Sequence, residues 1–360
     1  MTTSRREFLN SGAALAAATS IRSQPPVTAV GRTRGQRWDE ACRWMKLSLA
    51  YFHAGGVKGR PERVAMARQM GVLGGVGGGG ANVAETKRAY EEMGLEWTVL
   101  EGVNLTRAQL GVAGRDEDIA RFITLIRDCA AVGQRVICYN WMPAVGWSRS
   151  DNARVDRGGS LVTAFDVEKA RTDPTEYGER FTHDDLWKHM TYFLKAVVPE
   201  AEKHGVFLAL HPDDPPVERL RGIPRIITSI DALKRVTQIY PSKHNGLTFC
   251  QGSIASQGPH VDIPAAIRWF GTRGLIHFVH FRDVRGTPSN FVEAWHDDGQ
   301  NDMYEAMKTY YEVGFRGPIR PDHVPTLAGL EENTFPGYNN LGALFAIGYI
   351  KGLMEAAMKA

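Results

Sequence analysis

Two rhythms of apolar and polar positions alternate along the chain. Eight short apolar runs have strand character: MKLSLAYF (45–52), GVLGGV (71–76), EWTVLEGV (96–103), RVICYNWM (135–142), VFLALH (206–211), GLTFCQG (246–252), LIHFVHF (275–281) and GPIRPDH (317–323). Between them lie RPERVAMARQM, ANVAETKRAYEEM, DEDIARFITLIRDCAAV, HDDLWKHMTYFLKAVVPEAEKH, SIDALKRVTQIY, DIPAAIRWFG and NDMYEAMKTYYEVG, whose apolar residues recur every three or four positions, as on one face of a helix. Eight such alternations predict an α/β protein built as a single (β/α)8 TIM barrel, since an open doubly wound sheet more often has fewer strands. Gly94, Gly133, Gly205 and Gly314 each stand between a helix and the next strand, where C-terminal caps at the bottom of a barrel belong. The longest interruption, residues 143–180 after the fourth strand, reads as an extended top-face loop acting as a lid.

The N-terminus breaks this rhythm. Ser4-Arg5-Arg6-Glu7-Phe8-Leu9 leads into the Ala-rich SGAALAAATS, similar to a twin-arginine export signal and too short to persist as a membrane-spanning helix. Residues 1–30 are therefore assigned to signal and linker, and 31–360 to the barrel. The expected destination is the periplasm by the twin-arginine route, or the cytoplasm if the signal goes unused. No other run approaches membrane-spanning length.

Composition narrows the partners. The chain has 360 residues, 43% of them hydrophobic, enough for a large core. Lys plus Arg number 43 against 40 Asp plus Glu, scattered rather than blocked, which gives neither a nucleic-acid footprint nor a membrane-surface patch. A small molecule remains as the ligand class. Cys42, Cys129, Cys138 and Cys250 lack the spacing of a CxxC motif or a disulfide framework.

Candidate chemistry collects at the ends of the last four runs: His211, Cys250, His277 or His280, and Asp322 followed by His323. Barrel strands bring their C-terminal ends to one rim, so His211, Cys250, His280 and Asp322 are expected to share a metal. Imidazole, thiolate and carboxylate together suit Mn2+, Fe2+, Co2+ or Zn2+ better than Mg2+ or Ca2+. His277 and His280 point to opposite faces unless a bulge intervenes; His280 lies nearer the rim, leaving His277 as an outward or core histidine. His323 is the candidate general acid or base, and Tyr338 in PGYNNLG a partner in proton transfer or a packed aromatic. In HPDDPP, Asp213 and Asp214 orient a ligating imidazole, bind substrate hydroxyls or cap a turn. NWMPAVGWSRSD supplies Asn140, Trp147 and Arg149 for a polyol or carboxylate, with aromatic core packing as the alternative for its tryptophans, and Arg282 in HFRDV joins the substrate-binding candidates. The glycine-rich GVLGGVGGGGAN (71–82) lacks the Gly-Lys-Ser/Thr of a phosphate loop and reads as a close backbone approach.

The motifs YNWMPAVGWSRSD (139–151), HPDDPP with GIPRI (211–226), GLTFCQGS (246–253), IHFVHFRDV (276–284), DDGQNDMYEAMKTYYEVGFRGPIRPDH (297–323) and GYNNLGALFAIGYIKGLMEA (337–356) resemble the mannonate dehydratase family, which is similar in fold to xylose-isomerase-like barrels. The resemblance runs from about residue 90 onward. It implies a hydro-lyase that dehydrates D-mannonate to 2-keto-3-deoxy-D-gluconate, commonly with Mn2+, in a homo-oligomer. By motif, the metal falls on His211, Cys250, His280 and Asp322, and acid/base roles on His323 and Tyr338. One departure stands out: Val324-Pro325 follows Asp322-His323 where the family places Gly-Arg. That loss and the export signal keep two alternatives in view, an isomerase, epimerase or eliminase acting on a neutral or keto sugar, and a non-catalytic exported sugar-binding barrel.

Overall fold

A computed structural model describes residues 44–52, 55–331 and 335–360, all within the compact unit Glu40–Ala360. The export-like segment and Cys42 lie outside the described residues. Eight parallel strands close into a barrel: β1 (Lys46–Ala50), β2 (Gly74–Gly78), β3 (Glu96–Glu101), β4 (Val136–Asn140), β7 (Phe207–His211), β10 (Asn245–Cys250), β11 (Ile276–Phe281) and β14 (Pro318–Pro321). Each falls on one of the eight apolar runs, with β2 displaced toward its glycines.

Seven main helices follow the sequence rhythm, α1 (Pro61–Gln69), α2 (Val83–Glu92), α4 (Arg115–Ala131), α5 (His183–His204), α6 (Ile230–Ile239), α8 (Ile263–Gly271) and α9 (Met303–Glu312), and α10 (Asn340–Ala357) follows the last strand. Two short helices, α3 (Thr106–Leu110) and α7 (Gln251–Ala255), carry too few turns to leave a periodic signature. Helix starts are chemically marked. Thr182 and Asp185 form a reciprocal capping box on α5, and Asn82, Ser229, Asp262 and Asp302 each accept a backbone N–H three residues on. Gly94, Gly133, Gly205 and Gly314 close the helical segments with φ of +69°, +77°, +64° and +72°.

Strand periodicity builds the interior in layers. Val76, Val99, Val136, Cys138, Ala209 and Phe278 form one buried cluster inside the barrel. Two residues further along the same strands the inward side chains become polar, as at Glu101, Asn140, His211 and His280. Register brings these ends level: Glu101 pairs with Cys138, Asn140 with His211, Cys250 with His280, and His280 with Arg320. The glycines of β2 serve a packing purpose, because a Cβ on Gly75 would lie 2.2 Å from the Tyr90 ring and one on Gly74 2.2 Å from Ser48 Oγ.

The two histidines of β11 face opposite ways, with Phe278 and His280 inward, despite a bulge against β10. The β10–β11 register skips His277, which packs instead against Phe207 with ring centroids 4.9 Å apart. His277 is 8% exposed and belongs to the wall, whereas His280 faces the interior.

The insertion after β4 is more ordered than the loop expected from sequence. Its β5 (Asp151–Val155) and β6 (Leu161–Asp166) pair with the hairpin β12 (Val284–Thr287) and β13 (Asn290–Glu293) that follows β11, giving a four-stranded antiparallel sheet in the order β12-β13-β6-β5. Leu161 and Thr326 exchange backbone hydrogen bonds of 2.9 and 2.8 Å, tying this sheet to the loop after β14. A small hairpin, β8 (Arg219–Leu220) and β9 (Ile223–Pro224), follows β7.

Candidate active site

A cavity of 570 Å³ opens where the polar strand ends meet. His211, His280, Asp322, His323 and Tyr338 line it together with Glu101, Asn140, Trp147, Asp214 and Arg320. Cys250 does not line it and lies fully buried beside His211 and His280. Donor atoms of His211, Cys250 and His280 all stand within 4.8 Å of one another. Asp322 Oδ2 closes the group, 3.5 Å from His280 Nδ1 and 3.9 Å from Cys250 Sγ. The four residues singled out at successive strand ends are thus one cluster.

Each donor is oriented by its surroundings. His211 Nδ1 lies 2.6 Å from the Pro212 carbonyl, which can only accept, so this nitrogen carries a proton and Nε2 is the one left to face the cluster. The Ser253 hydroxyl donates to Cys250 Sγ at 3.1 Å. Neither ring nitrogen of the buried His280 makes a hydrogen bond among the described residues; both have only carboxylate oxygens at 3.5 Å, Glu101 Oε1 beside Nε2 and Asp322 Oδ2 beside Nδ1. Asp322 Oδ1 accepts from Tyr338 Oη at 2.7 Å and from Arg320 Nη1 at 2.5 Å. Buried, unspent nitrogen donors beside a thiol and a carboxylate fit a soft-to-borderline divalent ion.

Electrostatics sort the protons. Burial would raise the Cys250 thiol, yet Arg282 and then His211 hold it well below its ordinary range, which favours thiolate. Burial likewise opposes ionisation of Asp322 and Glu101, but Arg320 outweighs it with help from the nearby histidines, holding Asp322 well below the usual carboxylate range and Glu101 at about 2. His323 runs the other way: burial lowers it to about 3 and keeps the imidazole neutral. Tyr338 is raised well above the usual phenol value by burial and by Asp322, so it keeps its proton.

His323 is held in an uncommon backbone conformation, φ +46°, between two rings. Trp147 stacks on it at 4.9 Å and 19°, and Tyr338 tilts against it at 5.4 Å. Gly337 is required opposite, since a Cβ there would come within 2.8 Å of His323 Nδ1.

Three expected substrate contacts lie elsewhere. The side chains of Arg149 and Arg282 are buried behind the wall. Arg149 reaches Asp214 Oδ1 at 2.5 Å and Glu293 Oε1 at 2.5 Å, and Arg282 binds the same two carboxylates and stands 3.1 Å from Asp322. Their charge is spent joining the antiparallel sheet to the barrel rim. Asp213 turns away from the cavity and accepts the Ile227 N–H at 2.8 Å, a turn-stabilising role. Asp214, Asn140 and Trp147 do reach the wall. Asn140 Oδ1 accepts the Met142 N–H at 3.0 Å, and Asp214 also accepts from Ser253 at 2.9 Å.

Two wall residues escape the sequence reading, Glu101 and Arg320. Both obey the strand-end rule that found the others, at the close of EWTVLE and two residues before Asp322. Arg320 is the sole Lys or Arg among the described residues lining the cavity. Val324 and Pro325 do not line it; Val324 is 5% exposed and donates its N–H to Gly337 at 2.7 Å, packing beneath α10.

A family model described as D-mannonate dehydratase (UxuA) matches residues 39–182 and 175–360. The mannonate dehydratase of Streptococcus uberis is 36% identical over 305 residues, covering 77% of this chain and 86% of that protein. The crystal structure of mannonate dehydratase from Streptococcus suis serotype 2 superposes with a TM-score of 0.79 at 34% identity, covering 88% of this chain and 95% of that one. A xylose isomerase domain protein from Planctomyces limnophilus shares the fold alone, with a TM-score of 0.57 at 13% identity over 88% of this chain and 99% of its own.

Proposed function

The chain belongs to the D-mannonate dehydratase family, and from that premise we propose that it is a metal-dependent hydro-lyase converting D-mannonate to 2-keto-3-deoxy-D-gluconate and water. The observation that carries the reading is the His211, Cys250 and His280 cluster beside Asp322, set against a cavity whose wall also holds a neutral His323 and a protonated Tyr338.

His211, Cys250, His280 and Asp322 would hold the cation, with Mn2+ the first choice and Fe2+, Co2+ or Zn2+ compatible with the same donors. When bound, it supplies the positive charge that makes the C2 proton beside a carboxylate acidic enough to remove. The protein's own groups supply the proton traffic. His323, kept neutral by burial, is able to accept the C2 proton on its ring. Tyr338 Oη, which holds its proton against Asp322 Oδ1, is placed to protonate the departing C3 hydroxyl. Loss of the C2 proton and the C3 hydroxide, joined by that proton, yields an enol that becomes the 2-keto group, with water as the second product. Arg320 offers the wall's cationic face to a sugar-acid carboxylate.

The test is direct. Mn2+-loaded protein, incubated with a panel of aldonates and neutral ketoses, is expected to form a 2-keto-3-deoxy acid from D-mannonate. Turnover of neutral ketoses with no aldonate consumed would replace this reading with an isomerase or epimerase, and binding without turnover or metal would leave a sugar-binding barrel. The paired Arg5 and Arg6 support export of the folded enzyme. A reporter fused to residues 1–35 should then leave the cytoplasm only in cells with a working twin-arginine translocase.

A further inference from the structure

Glu101 ends β3 one layer above the apolar floor, beside Cys138 in the β3–β4 register. Its Oε1 lies 3.5 Å from His280 Nε2, on the side of the imidazole away from Asp322. The ring is therefore bracketed by two carboxylates. Asp322 Oδ2 faces Nδ1 and also approaches Cys250 Sγ, so Nδ1 is the nitrogen turned toward the metal-ligand cluster. One guanidinium fixes both acids: Arg320 Nη2 sits 3.4 Å from each Glu101 oxygen while Nη1 reaches Asp322 Oδ1.

Glu101, Cys138 and His280 also satisfy the distances of a three-donor metal group in their own right. The surroundings argue against a second ion there. Cys138 sits in the apolar layer, and its sulfur is already engaged, accepting from the Thr248 hydroxyl at 3.0 Å. What Glu101 has to offer is an acceptor fixed by Arg320, and His280 Nε2 has no other partner among the described residues.

We infer that Glu101 is a positioning residue for His280: it accepts the Nε2–H, fixes that tautomer and delivers the Nδ1 lone pair to the space shared with His211, Cys250 and Asp322. The inference rests on the metal reading above and assigns a duty to a residue outside the ligand set. It also gives Arg320 a second task, as the clip that keeps Glu101 and Asp322 on opposite sides of one ring.

The experiment measures Mn2+ affinity of the purified full chain by the electron paramagnetic resonance signal of the free ion, with circular dichroism confirming the fold. Glu101→Ala is expected to weaken Mn2+ binding about 10- to 100-fold, with kcat largely recovered at saturating Mn2+. Glu101→Gln keeps an acceptor oxygen and should lie clearly between Glu101→Ala and the unaltered protein. Unchanged affinity in Glu101→Ala would overturn the role. So would a Glu101→Gln protein as weak as Glu101→Ala, since charge or direct ligation would then be what matters. If Glu101→Ala fails to fold, Glu101→Gln alone decides: an affinity within about tenfold of the unaltered protein supports the role, and a greater loss overturns it. An unaltered chain that binds no Mn2+ at all would instead remove the metal reading itself, a result separable from the others because no substitution is involved.

Discussion

Two layers of the same barrel interior lie one strand repeat apart and obey opposite rules. The lower layer holds Val99, Ala209 and Phe278, all fully buried and apolar. The upper holds Glu101, His211 and His280, the residues two positions further along those strands. The backbone is common to both, with the same closure and the same inward pleat. A change of side-chain class over roughly 7 Å of strand turns a packed core into a reactive site. Fold and chemistry are therefore written on the same strands but in separable positions, and substitutions in one layer should leave the other readable.

The sharpest break comes from His211→Ala in the upper layer. It removes an imidazole whose Nε2 is aimed into the cluster, so Mn2+ binding and dehydration should both be lost to detection while thermal unfolding stays cooperative. Metal analysis of the purified variant checks the first part and calorimetry the second. His323→Gln separates the proposed ligands from the proposed proton-transfer group. Mn2+ affinity should hold within a few-fold, whereas kcat should fall about 10²- to 10⁴-fold, the range for loss of a general acid or base. A His323→Gln enzyme of normal kcat would return the base to another group on the wall.

The lower layer should give the reverse pattern. Phe278→Ala deletes a fully buried ring beneath His280 and is expected to cost about 3–5 kcal/mol of stability in a denaturant titration. Enzyme that remains folded should still bind Mn2+, provided that the cavity left below does not let His280 sink. Ring centroids of Phe278 and His280 stand 4.6 Å apart, edge to face, which makes this the point where the layers touch. A loss of Mn2+ affinity as large as that of His211→Ala would mean that they are one unit rather than two.

The two layers were unequally legible in the sequence. All eight strands follow from apolar runs and flanking glycines, because burial on both faces leaves a local imprint. His211, Cys250, His280, Asp322 and His323 were legible for a related reason: imidazole, thiol and carboxylate end strands where water-facing or apolar residues would suffice. Glu101 obeys the same rule, but a lone glutamate at a strand end resembles an ordinary solvent-facing residue until Arg320, far along the chain, is brought beside it. Arg149 and Arg282 failed in the opposite direction. Their residue type suggested anion binding, while the carboxylates that consume them, Asp214 and Glu293, arrive only through tertiary contact. The antiparallel sheet was hidden likewise, since β6 finds β13 across more than a hundred intervening residues.

The smallest expected effect concerns the histidine that packs in the barrel wall rather than in the upper layer. His277 is buried against Phe207 with His244 nearby, and burial, followed by that neighbour, lowers its pKa to about 3 despite a hydrogen bond with the Lys243 backbone. In the unfolded chain an imidazole titrates near 6.5. Between pH 6.5 and 3 the unfolded state therefore binds a proton that the folded state refuses, so stability falls as pH falls, with a limiting slope of about 1.4 kcal/mol per pH unit from this group. His296, lowered to about 4 chiefly by burial, acts in the same direction over a narrower window. His277→Gln should flatten the stability profile between pH 6 and 4 relative to the unaltered chain, measured by denaturant titration at each pH. It should do so without shifting Mn2+ affinity at pH 7, because the histidine that faces the cluster is three positions further on. An unchanged acid slope in His277→Gln would mean that this imidazole is already protonated in the fold, and the wall of the barrel would then carry a charge that its packing against Phe207 gives no reason to expect.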